Sequence, residues 1–90
     1  AWRRANGEAM SQAVAALPTP ALLLDRARFI ANCERMRARC RGLGVALRPH
    51  MKTLKSAEAA RLAIDPAFGG IAVSTLKEAE YFAAAGARDI

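Results

Sequence analysis

Extended apolar runs alternate with helical patterns along this chain of 90 residues, and that alternation limits the fold more than any other feature. Ala21-Leu22-Leu23-Leu24 is a continuous apolar run of the kind a buried strand presents. Asp25 follows as an N-cap. Arg26 to Arg41 is the clearest helix, because Phe29, Cys33, Met36, Cys40 and Leu43 recur at helical spacing and form one apolar stripe. The stripe lasts only two heptads, so packing on a sheet is expected rather than a coiled coil. Gly42 and Gly44 stand where the helix should end. The pattern then repeats. Val45 to Lys52 reads as a second extended segment, and Ser56 as the cap of a helix reaching Leu62 or Ala63. Asp65-Pro66 and Gly69-Gly70 mark turns, and Ile71 to Ser74 reads as a strand. Thr75-Leu76-Lys77-Glu78 has the form of a capping box. It opens a helix over Leu76–Ala85 that Gly86 ends. Strand and helix in this order predict an α/β chain built on a parallel sheet or barrel.

The two ends read differently from the middle. Residues 1–17 are alanine-rich and form either a loose helix or a disordered extension, stopped by Pro18-Thr19-Pro20. Met10 offers a natural start, with residues 1–9 upstream of it. Ala87-Arg88-Asp89-Ile90 reads as the beginning of another strand. Parallel strands need neighbours and helices on both faces, so the expectation is the N-terminal part of a larger α/β protein: an extension over 1–17, then the first part of a domain over 18–90.

Charge and cysteine usage narrow the function classes. The formal net charge is +6, carried mostly by arginine, with Arg26, Arg28, Arg35, Arg37, Arg39 and Arg41 in one helix. A nucleic-acid surface would use such a cluster. Here the arginines read as the solvated side of an amphipathic helix, broken by Glu34 and without aromatics interleaved from Arg35 to Arg41, so no nucleic-acid partner is expected. Cys33 and Cys40 lie about 10 Å apart along one helix, too far for a disulfide. They read as small buried apolar residues in a reducing compartment. No apolar run reaches the length of a membrane span, and Ala13–Leu17 is too short for a secretory core. No membrane partner and a cytoplasmic location are expected. The one histidine, His50, rules out His-rich metal spacing, and no metal ligand is assigned in this chain.

Ala46-Leu47-Arg48-Pro49-His50-Met51-Lys52-Thr53 carries the chemistry. Alternation along an extended segment puts Ala46, Arg48, His50 and Lys52 on one face and Leu47 and Met51 on the other. Pro49 has no N–H for a ladder, which argues for a bulge or an irregular end. A lysine at the C-terminal end of a strand, just before a helix, stands where a β/α barrel places its chemistry, and lysine is the residue that forms a Schiff base with an aldehyde cofactor. Read on local residues alone, Lys52 is more often a solvated loop lysine, because lysine is almost never fully buried unpaired. Arg48 reads as the partner of a carboxylate. His50 is either structural or lies below a cofactor. Ser74 and Thr75 either touch the cofactor or cap the next helix.

Taken together, Thr19-Pro20-Ala21-Leu22-Leu23-Leu24-Asp25, Asn32, Met36, Arg48-Pro49-His50-Met51-Lys52-Thr53, Val73-Ser74-Thr75 with Glu78-Ala79-Glu80, and Ala85-Gly86 with Asp89-Ile90 resemble the N-terminal region of the D-threonine aldolase/D-serine dehydratase-like family. These are alanine racemase-like, fold type III pyridoxal phosphate enzymes. The resemblance covers about residues 17–90. It implies the N-terminal part of a (β/α)8 barrel of the alanine racemase N-terminal domain kind, followed by a mainly β domain with which the segment Leu22–Asp25 would associate. It implies pyridoxal 5'-phosphate as cofactor, with Lys52 as its Schiff-base lysine and His50 beside it. A divalent metal is implied too, with ligands outside this chain, as are a D-amino acid substrate and a homodimer. Many members carry histidine two residues after the lysine; here Leu54 stands there, followed by Lys55, so one substrate does not transfer.

The activity implied is a lyase on D-β-hydroxy amino acids, of the aldolase or dehydratase type. The alternatives are an amino-acid racemase of the same fold or a non-catalytic pyridoxal phosphate-binding barrel. A lysine that attacks an aldehyde must be neutral, so burial or nearby positive charge should lower its pKa, and Arg48 and His50 are the cations at hand. These residues alone are expected to be inactive.

Overall fold

The computed structural model describes residues 7–90, with side chains from residue 11 onward. Four helices follow in order: α1 (Gly7–Ala15), α2 (Arg26–Gly42), α3 (Ala57–Ala63) and α4 (Leu76–Ala84). The N-terminal stretch is therefore helical over its described part; its residues 1–6 lie outside the description. None of these helices is long and apolar enough to cross a membrane.

Each later helix starts where a side chain can satisfy an orphan N–H. Asp25 accepts from the Arg28 N–H at 3.1 Å and Ser56 from the Ala59 N–H at 3.4 Å. Thr75 and Glu78 form the expected capping box. The Thr75 hydroxyl accepts from the Glu78 N–H at 3.1 Å, and the Glu78 carboxylate accepts in return from the Thr75 N–H at 3.3 Å. At the other end of α2, Leu43 caps the helix and Gly44 takes a φ of 69°, a left-handed geometry that glycine adopts without Cβ strain.

Between the helices run extended segments at 45–51, 70–74 and 87–90. The first two meet in a parallel bridge between His50 and Ala72. Ala72 donates its N–H to the Pro49 carbonyl and accepts from the Met51 N–H, both at 2.9 Å. The Ile71 N–H reaches the Asp89 carbonyl at 3.0 Å, joining the third segment to the second. The expected strands do not form: among the described residues the segments meet only at single points, with no continuous ladder and no closed barrel. Pro49, which has no N–H, breaks the register where a ladder would continue.

All three helices after α1 cover the same side of these segments. Met51 and Ile71 are fully buried, together with Ala60 and Ala63 from α3 and Phe82 from α4. Phe29 and Cys33 of α2, and Leu54, Ile64, Val73 and Ala87, pack around them. Arg37 ties α2 to the end of α3 by donating to the Leu62 carbonyl at 3.0 Å. The Tyr81 hydroxyl accepts from the Ala57 N–H at 3.1 Å and ties α4 to the start of α3.

Three further expectations fail. The run Ala21–Leu24, read as a buried strand, is exposed and forms no bridge among the described residues: Leu22 is 90% accessible. The stripe on α2 is covered unevenly: Phe29, Cys33 and Cys40 are half-buried, while Met36 and Leu43 stay exposed. Cys33 and Cys40 are free, as expected, but half-buried instead of buried. Burial still pushes the Cys33 thiol above its ordinary pKa, which leaves little reactive thiolate.

The Glu78 carboxyl is held below its ordinary range, first by the Ser74 N–H, then by the Thr75 N–H and Lys55. A depressed carboxyl stabilises the fold above its unfolded-state pKa, and that stabilisation disappears as pH falls through the folded value. Glu78→Gln is therefore expected to flatten the acid limb of the stability–pH curve, below the ordinary glutamate range, in unfolding of the full-length protein; an unchanged acid limb would overturn this. In the same assay, Ile71→Ala should cost about 2–5 kcal/mol, the usual loss for a buried aliphatic. Lys77→Ala, on the exposed side of α4, should stay within about 0.5 kcal/mol.

Candidate active site

The alternation read from the sequence holds across the segment that precedes α3. Met51 is buried while Arg48, His50 and Lys52 are exposed. Because the helices cover the Met51 side, the three basic residues stand together on the uncovered face. Lys52 sits in the first position of a turn that closes when the Lys55 N–H reaches the Met51 carbonyl at 2.9 Å. Its ammonium makes no hydrogen bond or ion pair with the described residues.

His50 is fixed at both ring nitrogens. Nδ1 accepts from the main-chain N–H of Lys52 at 3.1 Å, and Nε2 lies 3.2 Å from the Ser74 hydroxyl. A nitrogen that accepts carries no hydrogen, so in the tautomer this geometry suits the hydrogen sits on Nε2, facing the Ser74 hydroxyl. Ser74 comes from the neighbouring segment, and the parallel bridge at His50 and Ala72 brings it there.

Arg48 has the carboxylate partner expected for it. Its two terminal nitrogens each lie 2.9 Å from an oxygen of Asp89, a fork-to-fork pair. One of them also donates to the Ile71 carbonyl at 2.9 Å, and the guanidinium lies 4.9 Å from the centre of the Phe68 ring. Gly70 makes this close approach feasible: a Cβ there would come within 2.8 Å of the guanidinium carbon. The charge of Arg48 is thus compensated locally by Asp89.

The turn after Lys52 is anchored from α4. Lys55 adopts a φ of 43°, and its ammonium lies 3.5 Å from Glu78 Oε1. The other oxygen of Glu78 accepts from the Ser74 N–H at 2.8 Å and the Thr75 N–H at 3.3 Å. Of the two hydroxyls left open between capping and a site, Thr75 caps α4 and Ser74 turns to His50. Leu54, where many family members carry histidine, packs against the core, so that position points away from the uncovered face.

An open depression of about 620 Å³ lies beside this cluster, lined by Arg48, Ser74, Thr75, Asp89 and Ile90 among others. Lys52 and His50 do not line it. Among the described residues no group of three His, Cys, Asp or Glu side chains is placed to hold a metal ion. Sequence reading missed two members of the arrangement. Asp89 was read only as part of a beginning strand and of the family resemblance, not as the partner of Arg48, which is 41 residues away in the chain. Glu78 was legible as a cap but not as the partner of Lys55, which is 23 residues away in the chain.

No family model matches the chain, and no solved structure is significantly similar to it. Curated sequences are. A D-threo-3-hydroxyaspartate dehydratase from Delftia sp. is 47% identical over 90% of this chain and 21% of its own length. A D-threonine aldolase from Arthrobacter sp. is 42% identical over 86% of the chain and 20% of its own length. A D-serine dehydratase from Schizosaccharomyces pombe is 38% identical over 79% and 17%. The chain spans about a fifth of the length of these relatives. Over that stretch its sequence is similar to those of D-threonine aldolase and D-serine dehydratase enzymes.

Proposed function

We propose that this chain is the Lys52-bearing part of a pyridoxal phosphate-dependent lyase that acts on D-β-hydroxy amino acids. The observation that carries the reading is the place of Lys52. In a sequence similar to two kinds of D-amino acid dehydratase and an aldolase, its unpaired amine ends an extended segment on the face the helices leave open. The three relatives' names share one chemistry, a D-amino acid with a hydroxyl on Cβ, and all three name lyases, which favours a lyase over a racemase.

The residues present fit the aldehyde end of the cofactor. A primary amine is the donor an aldehyde requires, and no carboxylate among the described residues competes for it. When bound, pyridoxal phosphate supplies an electron sink for a carbanion at the substrate Cα. The chain's own residues supply attachment, proton transfer and positioning. Lys52 Nζ provides the attachment point and, for a dehydratase, the group placed to take a proton from Cα as the β-hydroxyl departs. His50 fixes the main chain of Lys52 through its N–H. The parallel bridge beside it suits the start of a β/α barrel, in which the uncovered face would be the interior.

In the full-length protein supplied with pyridoxal phosphate, borohydride reduction should leave a pyridoxyl group on Lys52, located by peptide mapping. Lys52→Ala should remove that label and lower kcat for the preferred D-β-hydroxy amino acid by about 10²–10⁴-fold. A retained label or retained turnover in the variant would refute the assignment. A panel of D- and L-amino acids with and without a β-hydroxyl then separates dehydration, aldol cleavage and racemisation by product.

A further inference from the structure

The main-chain N–H of Lys52 is satisfied by a side chain, His50 Nδ1, and not by a neighbouring carbonyl. The orientation of one imidazole ring therefore helps to fix where the Lys52 main chain lies. That ring has one other polar contact, Ser74. Ser74 in turn does not float. Its N–H is held by Glu78 at 2.8 Å, the Glu78 side chain is only 12% exposed, and its second oxygen faces Lys55, three residues past Lys52. The capping of α4 belongs to Thr75, so the Ser74 hydroxyl is left for His50.

We infer that Ser74 is a positioning residue for Lys52: it acts through His50, and Glu78 holds it in place. The Ser74 oxygen accepts the hydrogen on Nε2 and so keeps Nδ1 bare, which is the condition for Nδ1 to accept from the Lys52 N–H. Without the Ser74 hydroxyl the ring can turn or exchange tautomers, and the Lys52 main chain loses its fixed partner. The same carboxylate braces both sides of the arrangement, through the Ser74 N–H on one segment and the Lys55 ammonium on the other. The inference rests on the reading of Lys52 as the amine that holds the cofactor.

The test follows the rate at which added pyridoxal phosphate becomes fixable by borohydride on Lys52 in the cofactor-stripped full-length protein, with the site read by peptide mapping. Ser74→Ala should slow this rate about two- to tenfold, the worth of one hydrogen bond. Ser74→Thr keeps the hydroxyl and should restore the rate to within about twofold. In a His50→Ala background, Ser74→Ala should add nothing, because the residue through which it acts is gone. Ser74→Ala at the wild-type rate, no rescue by threonine, or an equal slowing in the His50→Ala background would each overturn the relay. Should His50→Ala fail to fold, judged by its unfolding midpoint, the alanine–threonine comparison at position 74 decides alone. Wild-type protein that takes up no label at Lys52 would sink the cofactor reading and this inference together; labelled wild type with an indifferent Ser74→Ala would sink only the relay.

Discussion

The burial of Met51 and Ile71 is the constraint from which the rest follows. Each lies fully inside, on extended segments that meet at a single parallel bridge, and each is covered by side chains from α2, α3 and α4. Because successive side chains of extended chain alternate, burying Met51 obliges His50 and Lys52 to face the other way. Burying Ile71 does the same for its own segment and leaves Ser74 on the side of His50. The basic cluster is therefore a consequence of where the apolar residues go, at roughly 1.5–3 kcal/mol for each large side chain taken from water.

Charge on the open face is compensated locally. Arg48 is held by Asp89 and Lys55 by Glu78, while both ring nitrogens of His50 have hydrogen-bond partners. Both ion pairs are partly exposed, so solvent screening leaves them little worth to stability. Their effect is geometric: each ties together segments that only isolated main-chain bonds otherwise connect. Lys52 stands among these residues as a cation with no partner among the described residues, which sets it apart from Arg48 and Lys55.

Much of this was legible in the sequence because it is local. Capping residues act on N–H groups two or three positions away, so Asp25, Ser56 and Thr75 with Glu78 could be read without knowing the fold. The alternation through Arg48, His50 and Lys52 needed only an extended backbone. The misreadings share a physical cause, which is that a pattern shows what a segment can bury and not whether anything arrives to cover it. Leu22–Leu24, Met36 and Leu43 have the composition of buried chain, yet all of them stay exposed.

The sequence by itself determined the order and approximate ends of the three helices after α1, the face on which the basic residues stand and the likeness to D-amino acid lyases, since each depends on residue identity at short or fixed spacing. Only the tertiary structure decided the partners. Asp89 for Arg48, Ser74 for His50 and Glu78 for Lys55 lie 41, 24 and 23 residues apart in the chain, and no local rule connects residues at such separations. They meet because one parallel bridge and one shared apolar core set the segments side by side.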